Sequence, residues 1–227
     1  WLVAGAAILS QMTYQAVKTA ANAVGLDIFG AFHPRPDQRA PEGCGTLLLL
    51  GPDEPGFWDR ITNSAEYHLP DPVDRWSERV IGRLAADFGA KALFPFGGPP
   101  YQPFVSWALG SGRVWQSPVG LLVHDRAGLM VSFRGALALP QRLVLPALPA
   151  NSPCENCITK PCLDACPAGA LNADGYQLAV CHDWLDSKPG KTCMNAGCLV
   201  RRACPPSQSY GRLAEQSAHH MRFFHKG

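Results

Sequence analysis

Eight of the nine cysteines in this chain lie between Cys154 and Cys204, and only Cys44 precedes them. A secreted protein held together by disulfides rarely leaves so long an N-terminal stretch almost free of cysteine. Clustered cysteines in an otherwise ordinary globular sequence instead indicate a metal-binding segment. We therefore expect the last third of the chain to fold around metal and the rest to fold around an apolar core.

The first half of this cluster reads Cys154-Glu-Asn-Cys157-Ile-Thr-Lys-Pro-Cys162-Leu-Asp-Ala-Cys166-Pro. It is close to the bacterial ferredoxin run, which also ends in Cys-Pro, but it has two extra residues before the third cysteine. In that pattern the first three cysteines bind one 4Fe–4S cluster and the fourth binds a second cluster. More cysteine ligands are therefore expected downstream.

Four downstream cysteines bring the number of possible ligands to the eight that two clusters need, and the last of them is again followed by proline. One predicted cluster uses Cys154, Cys157, Cys162 and Cys204, and the other uses Cys166, Cys181, Cys193 and Cys198. Thiolates are soft anionic ligands that suit such clusters. The spacing therefore predicts two 4Fe–4S clusters that move single electrons.

Two zinc sites, a redox-active dithiol and disulfides are the alternative interpretations. Zinc also accepts sites of four cysteines, but zinc ribbons usually carry two separated Cys-x-x-Cys pairs. Here only Cys154 and Cys157 form such a pair. The spacing favours iron–sulfur clusters over zinc.

The composition allows a substantial core, because 47% of the residues are hydrophobic and only 17% are charged. The 20 basic and 18 acidic residues form no block of like charge, so nucleic acid is not an expected partner. The apolar opening Trp1–Leu9 is shorter than a membrane span, and we interpret it as the start of a buried helix. A cytoplasmic protein without membrane contact is the default expectation.

Hydrophobic patterning predicts helices that alternate with strands, hence an α+β or α/β layered domain that ends near Leu145. Asp71-Pro72 is expected to be an N-cap and first helical residue, followed by apolar residues at helical spacing until Gly89. Other expected elements are a helix over 11–24 and strands over 27–32, 46–50, near 93, over 120–124 and over 129–137. The proline-rich stretch 145–150 is expected to be a linker, which divides the chain into 1–145 and 146–227.

The order of the eight cysteines, with two Cys-Pro endings, resembles the ferredoxin-like module of epoxyqueuosine reductases and reductive dehalogenases. Proteins of those families pair two such clusters with a cobalamin. Three earlier segments are similar to the cobalamin C-type processing proteins: Thr46-Leu-Leu-Leu-Leu-Gly, Asp71-Pro-Val-Asp-Arg-Trp-Ser-Glu-Arg-Val-Ile-Gly-Arg-Leu and Val131-Ser-Phe-Arg-Gly-Ala-Leu-Ala-Leu-Pro. The resemblance implies a nitroreductase-like α+β domain that binds the corrin, followed by a two-cluster ferredoxin-like domain.

Three residues are candidates for the corrin pocket. Arg134 lies in a segment of the resemblance, and its planar fork could bind a corrin amide, although a surface strand arginine is the alternative. Tyr101 and Trp115 follow the Gly-Gly-Pro-Pro turn and could form an apolar floor with Phe104 and Trp107, although such aromatic residues more often fill a core.

Two further residues are expected to have ordinary roles. His124 ends an apolar strand, and we expect a hydrogen-bonded structural histidine there. Cys44 stands alone near a turn, and we expect a small unreactive side chain.

The expected activity is therefore an oxidoreductase that binds cobalamin and reduces it with electrons from the two clusters. An external donor, a flavoprotein or a ferredoxin, would supply those electrons. Phe94-Pro-Phe-Gly-Gly-Pro-Pro100 lacks the carboxylate that epoxyqueuosine reductases carry in that segment, which disfavours their tRNA reaction. A ferredoxin-like electron carrier without corrin and an epoxyqueuosine reductase-like enzyme are the alternatives.

Overall fold

The computed structural model describes residues 12–226 and has a mixed α+β architecture. The predicted α+β class is thus confirmed, whereas the expectation for Trp1–Leu9 lies outside the described residues. The helices are α1 (Tyr14–Ala23), α2 (Phe57–Thr62), α3 (Pro72–Asp87), α4 (Phe104–Gly110), α5 (Leu178–Asp186), α6 (Lys191–Ala196), α7 (Leu199–Ala203), α8 (Pro205–Ser209) and α9 (Ala214–Phe224). The strands are β1 (Leu26–Phe32), β2 (Thr46–Pro52), β3 (Lys91–Leu93), β4 (Val114–Gln116), β5 (Leu122–His124), β6 (Gly135–Leu139), β7 (Leu171–Asn172) and β8 (Gly175–Tyr176).

A four-stranded antiparallel sheet of order β1-β2-β6-β3 forms the centre of the N-terminal part. Its inner strand β2 carries a run of four leucines that alternate between the two faces. Leu48 and Leu50 pack in one core cluster, and Leu47 and Leu49 pack in another on the opposite face. A strand covered on both faces needs such a continuous apolar run rather than an alternation of apolar and polar residues.

Helices α1 and α3 cover one face of this sheet with their apolar sides. The predicted helix α3 is confirmed, with Asp71 at the N-cap position and Pro72 as the first helical residue, but the Asp71 side chain makes no capping hydrogen bond. Capping side chains act from an extended backbone, whereas the φ of Asp71 is 50°. Helix α1 is capped instead by Thr13, whose hydroxyl accepts a hydrogen bond from the Ala16 amide at 3.1 Å.

The opposite face of the sheet is covered by α4, whose Trp107 is fully buried and donates its indole N–H to the Gln38 carbonyl at 2.7 Å. The strand expected over 129–137 is shorter than predicted, because residues 129–130 form a turn and residues 131–134 have no regular structure before β6 begins at Gly135. The strand expected from Gly120 begins two residues later, since Gly120 has a left-handed φ of 76°. That strand, β5, pairs with β4 in a separate small sheet.

The C-terminal part contains short helices, one small hairpin and many turns. Between Leu139 and Leu171, all within the described part of the chain, there are turns but no helix or strand. Val123 and Leu129 from the N-terminal part share an apolar cluster with Leu171 and Val200. The two parts therefore pack on a common core, and the boundary near residue 145 stays a prediction.

No helix among residues 12–226 is both long and apolar enough to span a bilayer.

Candidate functional site

Two cavities in the C-terminal part are each lined by four cysteines. The smaller, of about 20 Å³, is lined by Cys154, Cys157, Cys162 and Cys204. The larger, of about 320 Å³, is lined by Cys166, Cys181, Cys193 and Cys198. The structure thus brings together the same two sets of cysteines that the spacing predicts; we refer to them as the first and second cysteine groups.

The first cysteine group combines three residues from turns with one residue between two helices. The Ser152 hydroxyl accepts a hydrogen bond from the Cys154 amide at 3.2 Å and helps to fix the first turn. Cys204 lies between α7 and α8, where Pro205 begins the next helix. Proline at a first helical position has no amide hydrogen to lose, so the chain can turn sharply at this cysteine.

The second cysteine group is supplied mainly by helices. Cys181 lies on α5, Cys193 lies on α6 and Cys198 occupies the N-cap position of α7. Helix α6 ends at Ala196 and is followed by Gly197, whose φ of 89° allows the chain to reverse into Cys198. Cys166 follows the first three cysteines of the first group, whereas Cys204 of the first group comes after the whole second group. The two groups are therefore interleaved along the sequence.

The thiols within each group influence one another. Burial raises the pKa of Cys162, and the charges of Cys154, Cys204 and Cys157 raise it further. Burial likewise raises the pKa of Cys193, with added repulsion from Cys198, Cys166 and Cys181. Bringing four thiolates together without a cation is therefore unfavourable, whereas a bound metal cluster would stabilise the deprotonated form.

All nine cysteines are free thiols in the structure, so none forms a disulfide. Within residues 12–226, no group of three or more histidine, cysteine, aspartate and glutamate side chains is arranged to hold a single metal ion. Four thiols around a cavity nevertheless provide the donor set that a 4Fe–4S cluster uses.

No protein-family model, curated protein or solved structure matches this chain.

The three residues predicted for a corrin pocket do not line one common cavity in the described structure. Arg134 is buried and lines the larger cavity together with the second cysteine group. It donates to the Ser77 hydroxyl at 3.2 Å and forms an ion pair with Asp74. Trp115 packs against the apolar cluster that contains cysteines of both groups, and Tyr101 is 62% exposed.

The sequence interpretation missed three basic side chains at the larger cavity: Arg201, Arg212 and His220. Burial lowers the pKa of Arg212 to about 10 and that of His220 to about 2, although Glu54 opposes the change at Arg212. A signal was available for Arg201, which lies inside the cysteine run three residues after Cys198. No sequence pattern indicated the other two.

The two residues expected to be structural are accounted for by local contacts. His124 is fully buried, its Nε2 lies 3.0 Å from the Phe29 carbonyl oxygen, and its Nδ1 accepts hydrogen bonds from the Arg126 and Ala127 amides. The thiol of Cys44 donates to the Thr46 carbonyl at 3.3 Å, and burial raises the pKa of this thiol. A raised pKa lowers the fraction of reactive thiolate.

Proposed function

We propose that this protein binds two 4Fe–4S clusters and passes single electrons from an external donor to an acceptor. The observation that carries the proposal is the division of eight cysteines into two groups of four, each around its own cavity. Bound clusters would supply the one-electron chemistry. We also propose that the N-terminal part is a nitroreductase-like domain and that the C-terminal part is a ferredoxin-like module.

The role of the surrounding residues is to hold the ligands and to keep water away. Cysteines of both groups pack in one apolar cluster with Val119, Val123, Leu129, Leu171 and Val200. Apolar surroundings lower the local dielectric constant and restrict solvent, and both effects control the potential of a metal cluster. A continuous apolar contact between the two groups suits electron transfer from one to the other.

Metal analysis of protein purified without oxygen tests this proposal directly. We expect about eight irons per chain and little zinc, with an EPR signal after reduction. Cys204→Ser should lose the first cluster only, and Cys181→Ser should lose the second only. Cys44→Ser is the matched control, because Cys44 lies outside both groups and should leave the iron content unchanged.

Zinc in place of iron would contradict the proposal, since protein-bound zinc is not redox-active and cannot transfer electrons. If Cys204→Ser and Cys181→Ser each lost all iron, the two clusters would not load independently of each other. That result would still be compatible with two sites. Equal loss in Cys44→Ser would refute the division of the cysteines into two groups of four.

We propose cobalamin as the electron acceptor, because the larger cavity reaches from the second cysteine group to Arg134. Arg134 lies in a segment similar to cobalamin-processing proteins and was a candidate for the corrin pocket, and Ser132 from the same segment also lines this cavity. A neighbouring groove of about 370 Å³ shares Leu121, Val131 and Arg201 with the cavity. Together these spaces offer an apolar surface with a few polar groups, as ligand sites usually do.

Anaerobic titration of the cluster-loaded protein with cob(II)alamin, followed by visible absorption and EPR, tests this acceptor. Reduced protein should convert the cob(II)alamin signal to EPR-silent cob(I)alamin, one electron per cobalt. Arg134→Met should weaken binding of the corrin while both clusters remain loaded. If loaded protein neither binds nor reduces cobalamin, the electron-carrier alternative replaces this one.

A further inference from the structure

The two cysteine groups differ in the positive charge that lies beside them. At the first group, Lys160 lines the cavity and its charge acts on Cys154, but the side chain is exposed to solvent. At the second group, Arg201 lines the cavity and is charge-coupled to Cys198. The first group therefore has a solvated cation, whereas the second has the partly buried Arg201 beside it, with Arg134 and Arg212 on the same cavity.

Arg201 is held in place by the backbone rather than by an acid. It extends from α7, and its Nη1 donates a hydrogen bond to the Leu129 carbonyl at 2.5 Å. No carboxylate among residues 12–226 forms an ion pair with it. Burial lowers the pKa of Arg201, and the charges of Cys198 and Tyr176 act in the opposite direction. Cys198 of the second cysteine group therefore interacts with a cation that has no carboxylate partner among residues 12–226.

A partly buried cation affects a nearby redox centre more than a fully solvated one. The interaction energy of two charges rises as the effective dielectric constant falls, and salt screens exposed charges most strongly. Reduction adds one negative charge to a 4Fe–4S cluster, so a close cation stabilises the reduced state. Lys160 is exposed, so its contribution to the first group is screened by solvent.

We propose that Arg201 raises the reduction potential of the second cluster above that of the first and so sets the direction of electron flow. This inference rests on the proposed function. With both clusters bound, an electron would pass from the reduced first cluster, which would become oxidised, to the second, which would become reduced. The external donor would then replace that electron at the first cluster. The second cluster is therefore the one that delivers electrons into the larger cavity.

The test is an EPR-monitored redox titration of the cluster-loaded protein with Arg201→Met and Arg202→Met. Arg202 is the adjacent residue on the same helix but is exposed, so it is a matched control for the loss of one positive charge. In Arg201→Met we expect the potential of the second cluster to fall by at least the tenfold equivalent, about 59 mV for one electron. The signal that is absent in Cys181→Ser identifies the second cluster.

Two more variants separate the charge of Arg201 from its hydrogen bond. Arg201→Gln is neutral but retains a donor for the Leu129 carbonyl, and it should show the same fall in potential as Arg201→Met. Arg201→Lys keeps the charge and should stay near the parent value. These variants also keep the test decisive if Arg201→Met loads poorly.

Unchanged potentials in the neutral variants, or equal shifts of both clusters, would overturn the inference. A fall of the same size in Arg202→Met would also overturn it, because net charge alone would then explain the effect. Failure of the proposed function looks different, since the parent protein would then show no iron–sulfur signal to titrate.

Discussion

The backbone of Gly128 lies directly against the sulfur of Cys204. A Cβ atom at residue 128 would stand 3.0 Å from Cys204 Sγ and 2.5 Å from the Ser207 amide nitrogen. Gly128 also has a left-handed φ of 55°, which disfavours side chains. The turn that precedes β6 therefore helps to shape the first cysteine group.

Gly128→Ala should disrupt the first cysteine group. We expect loss of about half of the bound iron and a destabilisation of more than about 2 kcal/mol, because a strained backbone and a steric clash act together. Iron analysis and urea unfolding provide the two measurements. Gly120→Ala is the control, since Gly120 also has a left-handed φ, of 76°, but has no atom within 4 Å of the added Cβ. Full iron content in Gly128→Ala would show that the turn does not shape the group.

Removing Asp74 should cost more stability than removing Arg134. Arg134 is buried, and Asp74→Ala would leave its charge without a partner, at a cost of roughly 2 to 3 kcal/mol. This figure is below that for a fully buried pair, because the Asp74 side chain is 38% exposed. Arg134→Met should cost less than about 1 kcal/mol, since water can still solvate Asp74. Urea unfolding midpoints measure both, and the reverse order would contradict the account.

Mild acid should destabilise the protein through His124. Burial lowers the pKa of His124 to about 4, from an ordinary value of 6.5, so the unfolded chain binds a proton more readily than the folded one. The stability that the neutral imidazole provides is complete above pH 6.5 and decreases towards pH 4, by roughly 3 kcal/mol over the whole interval. His124→Asn should flatten the pH dependence of unfolding, whereas His68→Asn, at an exposed site, should not.

Tyr210 joins the two parts of the chain. Its hydroxyl donates to the Pro52 carbonyl at 2.5 Å, and its ring packs against Phe29. Tyr210→Phe should cost about 1 to 2 kcal/mol, because a buried carbonyl loses its partner while the ring packing remains. Tyr101→Phe is the control, since Tyr101 is largely exposed and should change nothing. Thermal unfolding of the two variants provides the comparison, and equal stability of Tyr210→Phe and the parent would show that the hydrogen bond contributes nothing.

The hydrophobic pattern of the sequence predicted those helices and strands in which buried residues recur at a regular interval. The four leucines of β2 and the apolar side of α3 are read directly from the sequence, because both are covered by apolar neighbours. The N-cap position of Asp71 was predicted correctly, but its lack of a side-chain hydrogen bond was not predictable, because residue type alone does not give the backbone conformation on which capping depends. The short helices α5 to α8 escaped prediction because they contain too few turns to show a period.

The division of the eight cysteines into two groups could be predicted because their spacing along the chain resembles that of known cluster ligands. The basic side chains at the larger cavity could not, since Arg201, Arg212 and His220 meet only after separate helices and turns pack together. The same limit applies to Tyr101 and Trp115, which are close in sequence but lie in different surroundings. Spacing therefore identifies candidate ligands, whereas the groups that modulate them depend on tertiary contacts.

If the cysteine groups bind clusters as proposed, the apolar cluster shared by Leu129, Val123 and the cysteine-bearing turns would link the lifetime of the whole chain to its metal supply. A chain deprived of metal would have neutral thiols around unfilled cavities, beside a core that also supports the N-terminal part. Oxygen damage at the cysteines would then loosen both parts and expose them to proteases. Cellular iron shortage would therefore lower the abundance of this protein as well as its redox capacity.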